Sequence, residues 1–467
     1  MTVPSKARRI FGTDGARDIA NRGNMTPETA MSLGRAFVRF LSARGTRRPV
    51  IVTGRDTRRS GAMLEAALAA GMMSEGADIR SAGIFPTPGV GFLLKSGGFD
   101  AGAVISASHN PAEYNGIKFF DSGGHKLSDD DEAEIEEFMS RIGENIRPTG
   151  GLIGEICFDG ELCDLYVDWL SEQMSQIQSP DWPIVIDAAN GAAARIVERV
   201  FGLWRGGVSY LGVEYDGLNI NAGAGVMHMD RLSSEVRRRG ARLGISFDGD
   251  ADRVLLCDGE GRVIDGDIML WVIGRCMSKS GLLGSGIVAT VMSNTILEEK
   301  LREAGIELFR CPVGDRYVLS RMRETGACLG GEQSGHIIAS DRVTTGDGLC
   351  ASALFIKSCV ELGEDLDTLV DRFPRYPQVL RNLKLENREL VMASPRLEEA
   401  SANAMKKLAG AGRILLRPSG TEPLLRILVE ARDEGLMREV CNDLERAVLA
   451  IAATALDCHI KPSPGTR

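Results

Sequence analysis

Short apolar runs recur along the chain, and segments with helical spacing follow them. PVIVTGRD (49–56) reads as a strand that closes in a polar loop. RSGAMLEAALAAGMMSEGADI, directly after it, reads as a helix with a glycine-rich exit, and AGAVISAS as the next strand. LSDDDEAEIEEFMSRI (127–142) predicts a helix that starts at Ser128, its acidic residues suiting the positive end of the helix dipole. The rhythm returns in PIVIDAANGAAARIVERVF (183–201), RLGISFDGDADRVLLCD (242–258) and GIVATVMSNTILEEKLREAGIELFRC (286–311). Strand–helix–strand alternation of this kind implies mainly parallel sheets. The pattern changes near the end. RILLRPSGTEPLLRILVEARD (413–433) reads as two short strands around a polar loop, with a helix after them. AVLAIAATAL (447–456) is too short to span a bilayer and belongs to that helix.

The expected fold class is therefore α/β over most of the chain, with an α+β region at the C-terminus. At about 150 residues per domain, 467 residues allow three domains or four small ones. Candidate linkers lie at 147–151, 258–261 and 373–377. The expected domains are 1–150, 151–257, 258–374 and 375–467.

Composition narrows the partners. Hydrophobic residues make up 43% and charged residues 25%, the ordinary globular range. A net charge of −9 argues against general nucleic-acid binding, because phosphate backbones reward a basic excess. A few local arginines can still hold a small phosphorylated ligand. The ten cysteines form no CxxC or Cys–His cluster, so zinc ribbons and redox pairs are not expected, and reduced cysteines in the cytoplasm are. MTVPSKARRIFGTDG lacks the apolar stretch of a secretory leader.

Four polar loops interrupt the apolar pattern, about one per domain, and suggest a single cleft where domains meet. The strongest chemical signal is Asp248-Gly249-Asp250-Ala251-Asp252-Arg253. Three carboxylates at alternate positions can converge on one point. At ~4 Å each like-charge pair costs on the order of 4 kcal/mol at an effective dielectric of about 20, so convergence calls for a cation. All-oxygen ligands indicate a hard divalent metal, with Mg²⁺ the default. An EF-hand needs glycine at its sixth position and glutamate at its twelfth, where this chain has Arg253 and Gly259. The plainer alternative is a polar turn with its carboxylates splayed into water.

Such a metal leaves room for a phosphate oxygen, yet no GxxxxGK[ST] or GxGxxG loop is present to bring a nucleotide. Ser108, in Ser106-Ala107-Ser108-His109-Asn110-Pro111, is the candidate carrier. At a strand end before a helix-compatible turn, it can act as a nucleophile or simply as a cap. Ser106 is equally a hydroxyl in the same loop. His109 and Lys118 are near enough in sequence to act as charge or proton partners. Arg417-Pro418-Ser419-Gly420-Thr421-Glu422-Pro423, with Arg426 beyond it, offers guanidinium, hydroxyl and loosened backbone amides for a phosphate, or else a plain hairpin turn. Gly331-Glu332-Gln333-Ser334-Gly335-His336 lets Glu332 and Ser334 approach a hydroxyl-rich ligand closely.

Taken together, FGTDGARDIAN (11–21), ISASHNP with NGIKFF, DGLNINAG (216–223), DGDADR, GGEQSGH and RPSGTEP resemble the motifs of the α-D-phosphohexomutase superfamily, and within it the bacterial phosphoglucosamine mutase branch. They stand in that family's order from residue 11 to about 430. The resemblance implies three related mixed or parallel-sheet α/β domains plus a C-terminal α+β domain around a central cleft. It implies that Ser108 carries the transferable phosphoryl group as phosphoserine. Asp248, Asp250 and Asp252 would hold one Mg²⁺ together with an oxygen of that group. Arg17, His109, Lys118 and Arg253 would line the reacting centre, with Lys118 moving a proton. Glu332, Ser334 and His336 would meet the sugar, while Arg417, Ser419, Gly420, Thr421 and Arg426 would grip the phosphate that is not being transferred.

The implied reaction interconverts glucosamine 6-phosphate and glucosamine 1-phosphate, with hexose or glucosamine 1,6-bisphosphate as intermediate and activator. It would feed UDP-N-acetylglucosamine and cell-wall synthesis in the cytoplasm. No membrane or nucleic-acid partner is implied, and a homodimer is. A phosphomannomutase or phosphoglucomutase is the nearest rival, and a non-catalytic sugar-phosphate binding protein a more distant one. Three positions depart from the family wording: Ala16, Asp18 and Ala251, the last two standing where glycine is usual. Ala251 is harmless at negative φ and costs about 1 kcal/mol or more at positive φ.

Overall fold

The structure is a computed structural model that describes residues 10–12, 15–141, 143, 147–177, 180–418 and 423–459. They divide into two compact bodies, one of residues 1–293 and 301–372, the other of residues 294–300 and 373–467.

The first body holds three sheets. The first has strands β1 (Phe11–Gly12), β2 (Gly15–Ile19), β3 (Val50–Arg55), β4 (Asp78–Ile84), β5 (Ala101–Ile105), β6 (Tyr114–Asp121) and β7 (Ile156–Phe158), in the order β1-β2-β6-β5-β3-β4-β7. Helices α1 (Pro27–Ala43), α2 (Arg59–Ser74), α3 (Thr87–Ser96) and α4 (Asp129–Ser140) connect its strands or cover them. Apolar residues at helical spacing in α1, among them Leu33, Phe37 and Phe40, are buried. Phe37 stacks on Phe119 of β6 with ring centroids 4.1 Å apart. Ser128 caps α4 as expected and forms a capping box with Asp131.

After α5 (Glu161–Ser175), the second sheet comprises β8 (Ile184–Asp187), β9 (Val208–Leu211), β10 (Leu243–Phe247), β11 (Val254–Asp258) and β12 (Val263–Ile264), ordered β12-β11-β10-β8-β9. Its connections include α6 (Val197–Val200) and α7 (Met229–Arg239). Two expectations change here. The 183–201 segment does not form one helix, because a 3-10 turn at Ala192–Arg195 precedes the single turn of α6. The 242–258 segment is an antiparallel hairpin, β10 against β11, so the loop between them needs no following helix. Asp258–Gly261, expected as a linker, is the turn that joins β11 to its partner β12.

The third sheet follows α8 (Gly266–Lys279). It contains β13 (Ile287–Thr290), β14 (Leu308–Cys311), β15 (Leu329–Gly331) and β16 (Ile337–Ala339), ordered β14-β13-β15-β16. α9 (Thr295–Glu303), α10 (Asp315–Thr325), α11 (Gly348–Leu362) and α12 (Leu366–Leu369) complete this stretch of chain. All three sheets are mixed: parallel towards one edge and antiparallel towards the other, where a hairpin carries a polar loop.

The second body is α+β. β17 (Gln378–Lys384), β18 (Gly412–Pro418) and β19 (Leu424–Ala431) form an antiparallel sheet in the order β17-β19-β18. Helices α13 (Arg388–Met392), α14 (Pro395–Leu408) and α15 (Glu434–His459) accompany it. Leu425, Ile427 and Val429 share a core with Val440, Leu444 and Val448. The two-residue period of β19 therefore turns Arg426 to the opposite face.

Candidate active site

The 106–111 loop joins β5 to β6, so Ser108 stands in a hairpin rather than before a helix. The two serines face different ways. Ser106 donates from Oγ to Asp56 Oδ2 at 2.6 Å and accepts the Ser108 amide at 2.9 Å. Ser106 thus braces the turn. Ser108 is held at φ +51°, a left-handed conformation that costs an L-residue energy and needs outside support.

Arg58, the largest fully buried side chain in the described residues, supplies much of that support. Its guanidinium donates to the carbonyls of Ser108 at 2.9 Å, Asn110 at 2.7 Å and Pro111, and pairs with Asp56 at 2.9 Å. Asn221 Nδ2 donates to the same Ser108 and Asn110 carbonyls at 2.9 and 3.0 Å. A Cβ at Gly249 would lie 2.5 Å from the Ser108 carbonyl oxygen, so only glycine lets the 248–253 loop lie this close. With the backbone held so, Ser108 Oγ donates to Asp248 Oδ2 at 2.6 Å.

Asp248, Asp250 and Asp252 leave the β10–β11 hairpin as a converging set. One oxygen from each lies within 4.8 Å of the others, and all three residues are buried. Thr87 donates to Asp250 Oδ2 at 2.6 Å, and Lys118 Nζ, on β6, lies 3.4 Å from Asp250 and 3.7 Å from Asp252. Burial, then the neighbouring Asp252 and Asp250 charges, pushes the Asp248 carboxyl well above the usual range. Burial alone would raise Asp252 as well, but Lys118, His336 and Arg253 outweigh it and hold it well below. Asp250 Oδ1 and Asp252 Oδ1 are buried without a hydrogen-bond donor. Buried carboxylate oxygens left this way, in an all-oxygen set, fit a hard divalent cation. Ala251, at φ +60°, takes the strained alternative of the two anticipated.

Around Ser108 lie the other expected residues. His109 Nδ1 is 3.3 Å from Ser108 Oγ and 3.3 Å from Arg253 Nη1. Burial, then Arg253 and Arg17, pulls the His109 pKa down to about 4, so the ring is neutral near pH 7. Arg17 reaches Asn110 Oδ1 at 3.4 Å. Asp18, one of the three departures noted above, folds back to accept the amides of Ile19 and Asn24 at 2.8 and 3.0 Å and closes its own turn.

The 332–336 loop is the β15–β16 hairpin turn. Glu332 and Ser334 are half-buried, 3.4 Å apart, with Glu332 Oε1 accepting the Gly314 amide at 3.0 Å. Gly335 is at φ +91°, and a Cβ there would meet the Val254 carbonyl oxygen at 2.0 Å, which ties this loop to β11. His336 is only 2% exposed, so it stands behind the triad rather than on an open surface. Its Nε2 accepts the Gly346 amide at 3.0 Å and its Nδ1 faces Asp252 at 3.8 Å.

On the second body, Arg417 and Arg426 are paired directly across β18 and β19. Burial, then the Arg426 charge, lowers the Arg417 pKa. Like charges placed opposite each other weaken a hairpin unless an anion joins them. Ser419, Gly420 and Thr421 lie outside the described residues.

Asp56, Arg58, Thr87 and Asn221 were not singled out from sequence. The one available signal was the run Arg55-Asp56-Thr57-Arg58, which closes an apolar strand with polar groups as residues 106–110 do.

The chain matches all four domain descriptions of one family: phosphoglucomutase/phosphomannomutase alpha/beta/alpha domain I over residues 8–146, domain II over 164–261, domain III over 265–376 and the C-terminal domain over 380–447. It belongs to the phosphoglucomutase/phosphomannomutase family, the α-D-phosphohexomutases, and is thereby a mutase of the isomerase class. Among its relatives, the phosphoglucosamine mutase of Moorella thermoacetica is 44% identical over 440 residues, 94% of this chain and 98% of that protein. The phosphoglucosamine mutase of Saccharopolyspora erythraea is 45% identical over 446 residues, covering 95% and 99%. The crystal structure of a phosphoglucomutase/phosphomannomutase family protein from Burkholderia thailandensis superposes with a TM-score of 0.79 at 26% identity, covering 95% of this chain and 97% of that one. Among the described residues, no helix is long and apolar enough to cross a membrane.

Proposed function

We propose that the chain interconverts glucosamine 6-phosphate and glucosamine 1-phosphate through a phosphorylated Ser108 and a glucosamine 1,6-bisphosphate intermediate. The observation that carries this reading is the placement of Ser108 Oγ 2.6 Å from Asp248, at the edge of three buried carboxylates. The extent of the match to phosphoglucosamine mutases selects the sugar.

In the first half-reaction a sugar hydroxyl attacks the phosphorus of phosphoserine. The new O–P bond forms as the bond to Ser108 Oγ breaks, and Lys118, as the neutral amine, accepts the hydroxyl proton. In the second half, Ser108 Oγ takes the other phosphate of the bisphosphate, and the proton returns to the sugar oxygen. Phosphoryl transfer of this kind depends on positioning and charge neutralisation. Asp248, Asp250 and Asp252 would hold Mg²⁺, which when bound neutralises charge on the transferring group. Arg253 and Arg17 add positive charge, and neutral His109 offers a hydrogen bond without a further charge. Glu332 and Ser334 orient the sugar hydroxyls, and His336 orients Asp252. Arg417 and Arg426, with the 419–421 segment, take the phosphate that is not transferred. A cytoplasmic location and a homodimer belong to the same reading; light scattering on the purified protein tests the latter.

The test is turnover of glucosamine, glucose and mannose phosphates with Mg²⁺ and a hexose 1,6-bisphosphate activator, alongside intact-mass spectrometry. The expected result is a preference for glucosamine phosphates and a species heavier by one phosphate that Ser108→Ala abolishes. Preference for mannose 1-phosphate overturns the substrate. A Ser108 that stays unmodified with the bisphosphate present points to a binding protein instead.

A further inference from the structure

The acidic triad is supported from outside its own loop by a residue that the reaction scheme does not use. Residues 346–348 lie directly against the 248–253 loop. The Gly348 amide donates to the Ala251 carbonyl at 3.0 Å, at the residue held at φ +60°. The Gly346 amide donates to His336 Nε2 at 3.0 Å, which leaves the proton of a neutral ring on Nδ1, the nitrogen facing Asp252. The packing leaves no slack. A Cβ at Gly346 would lie 2.5 Å from the His336 ring, and one at Gly348 would lie 2.7 Å from the Arg253 carbonyl oxygen.

Asp347, between these glycines, sets where the segment sits. It is buried, caps α11 by accepting the Cys350 amide at 2.9 Å, and donates its own amide to Ile337 at 3.3 Å. Its second carboxylate oxygen accepts the hydroxyl of Tyr166 at 2.8 Å. Tyr166 lies on α5, far in sequence from all four polar loops, and is fully buried. Its ring meets Phe85 edge-on at 5.6 Å and stacks with Trp169 at 5.9 Å, so the hydroxyl has a fixed position. Phe85 stands two residues before Thr87, which donates to Asp250. One aromatic side chain therefore braces the triad on two flanks, through Asp347 and through the 85–87 segment.

We propose that Tyr166 is a positioning residue for the acidic triad: its hydroxyl fixes Asp347, Asp347 fixes residues 346–348, and these fix Ala251 and His336 so that the three carboxylates keep the geometry that binds a divalent cation. The proposal rests on the metal assignment made above. Without the hydroxyl, a buried carboxylate oxygen loses its donor, and the segment shifts to find another. Groups that orient metal ligands from behind commonly change metal affinity 10–100-fold when removed. Tyr166 acts at one further remove, so about tenfold is expected.

The experiment compares full-length wild type, Tyr166→Phe, Asp347→Asn and Val167→Ala. Mn²⁺ is titrated into metal-free protein and free Mn²⁺ is read by electron paramagnetic resonance, with no turnover required. Tyr166→Phe should weaken Mn²⁺ binding about tenfold. Asp347→Asn has one side-chain oxygen: with it kept on the Cys350 amide, an NH2 faces Tyr166 and can only donate to the hydroxyl oxygen, so the contact is reversed rather than lost and binding should weaken by a smaller factor. Val167→Ala removes buried apolar volume from the same helix and should lower the melting temperature without changing Mn²⁺ affinity. In turnover assays, the Mg²⁺ concentration for half-maximal rate should rise with the Mn²⁺ dissociation constant, while KM for sugar phosphate at saturating Mg²⁺ stays level.

Unchanged Mn²⁺ affinity in Tyr166→Phe overturns the proposal, and so does equal weakening in Val167→Ala. If Tyr166→Phe does not fold, an Asp347→Asn affinity equal to wild type has the same force. A wild type that binds no Mn²⁺ overturns the proposal together with the metal site. A wild type that binds Mn²⁺ but does not turn over glucosamine phosphates leaves this inference standing and removes the substrate assignment.

Discussion

Ala251 sits at φ +60° inside the triad's loop, with its methyl group fully buried. Two effects oppose each other there. The left-handed conformation costs an alanine about 1–2 kcal/mol relative to glycine. Removing the methyl would forfeit about 0.8 kcal/mol of burial and free the unfolded chain by a further ~0.4–1 kcal/mol. The terms nearly cancel, so Ala251→Gly should leave stability within about 1 kcal/mol of wild type in a urea titration and keep activity. Ala251→Val meets only the adverse side, because a β-branched residue does not tolerate this φ. It should lose about 2 kcal/mol or more, and Mg²⁺-dependent turnover with it. Ser106 and Ser108 are also told apart in their contacts at this scale. Both are small hydroxyl residues in one apolar-to-polar transition, and no local rule separates them. The Asp56 carboxylate on one side and the Asp248 carboxylate on the other do.

Elements were legible where a single local rule governs them. The helix α2 after the 49–56 strand, the acidic capped start of α4 and the two strands β18 and β19 all survive in the structure. The 242–258 stretch was not legible as a hairpin, because a strand followed by a polar loop precedes an α-helix and an antiparallel partner equally well. The β18–β19 hairpin gives the prediction that belongs to this scale. Its opposed Arg417 and Arg426 repel in the free protein, and in the function proposed above they would share a ligand charge in the bound one. Arg417→Gln should therefore leave the ligand-free melting temperature unchanged or slightly raised. Losing a charge-assisted hydrogen bond of about 1.5–3 kcal/mol should raise KM for the sugar phosphate roughly 10- to 100-fold. A KM equal to wild type would exclude Arg417 from phosphate binding.

Over the whole molecule, the net charge of −9 weighs against polyanionic partners, and the acidic triad gathers that same sign of charge in one buried spot. Three buried carboxylates, with Lys118 beside two of them, are a folding cost that a bound cation removes. Chelation should lower the melting temperature of wild type, and Mg²⁺ at about 100 times its dissociation constant should restore on the order of 2.7 kcal/mol. Asp250→Asn should lose most of that metal-dependent shift while staying folded, as thermal denaturation with and without chelator will show. By itself, the sequence determined where strands and helices alternate outside 183–201 and 242–258, that the C-terminal region differs in kind, and which residue types are the candidates for the chemistry. Those follow from local period, turn chemistry and side-chain functional groups. Only the tertiary structure decided that Ser108 meets Asp248 across 140 residues, that Arg58 and Asn221 hold the serine loop, and that Tyr166 reaches the triad through Asp347. Contacts between loops depend on how whole sheets stack, and that packing depends on every residue in the core at once.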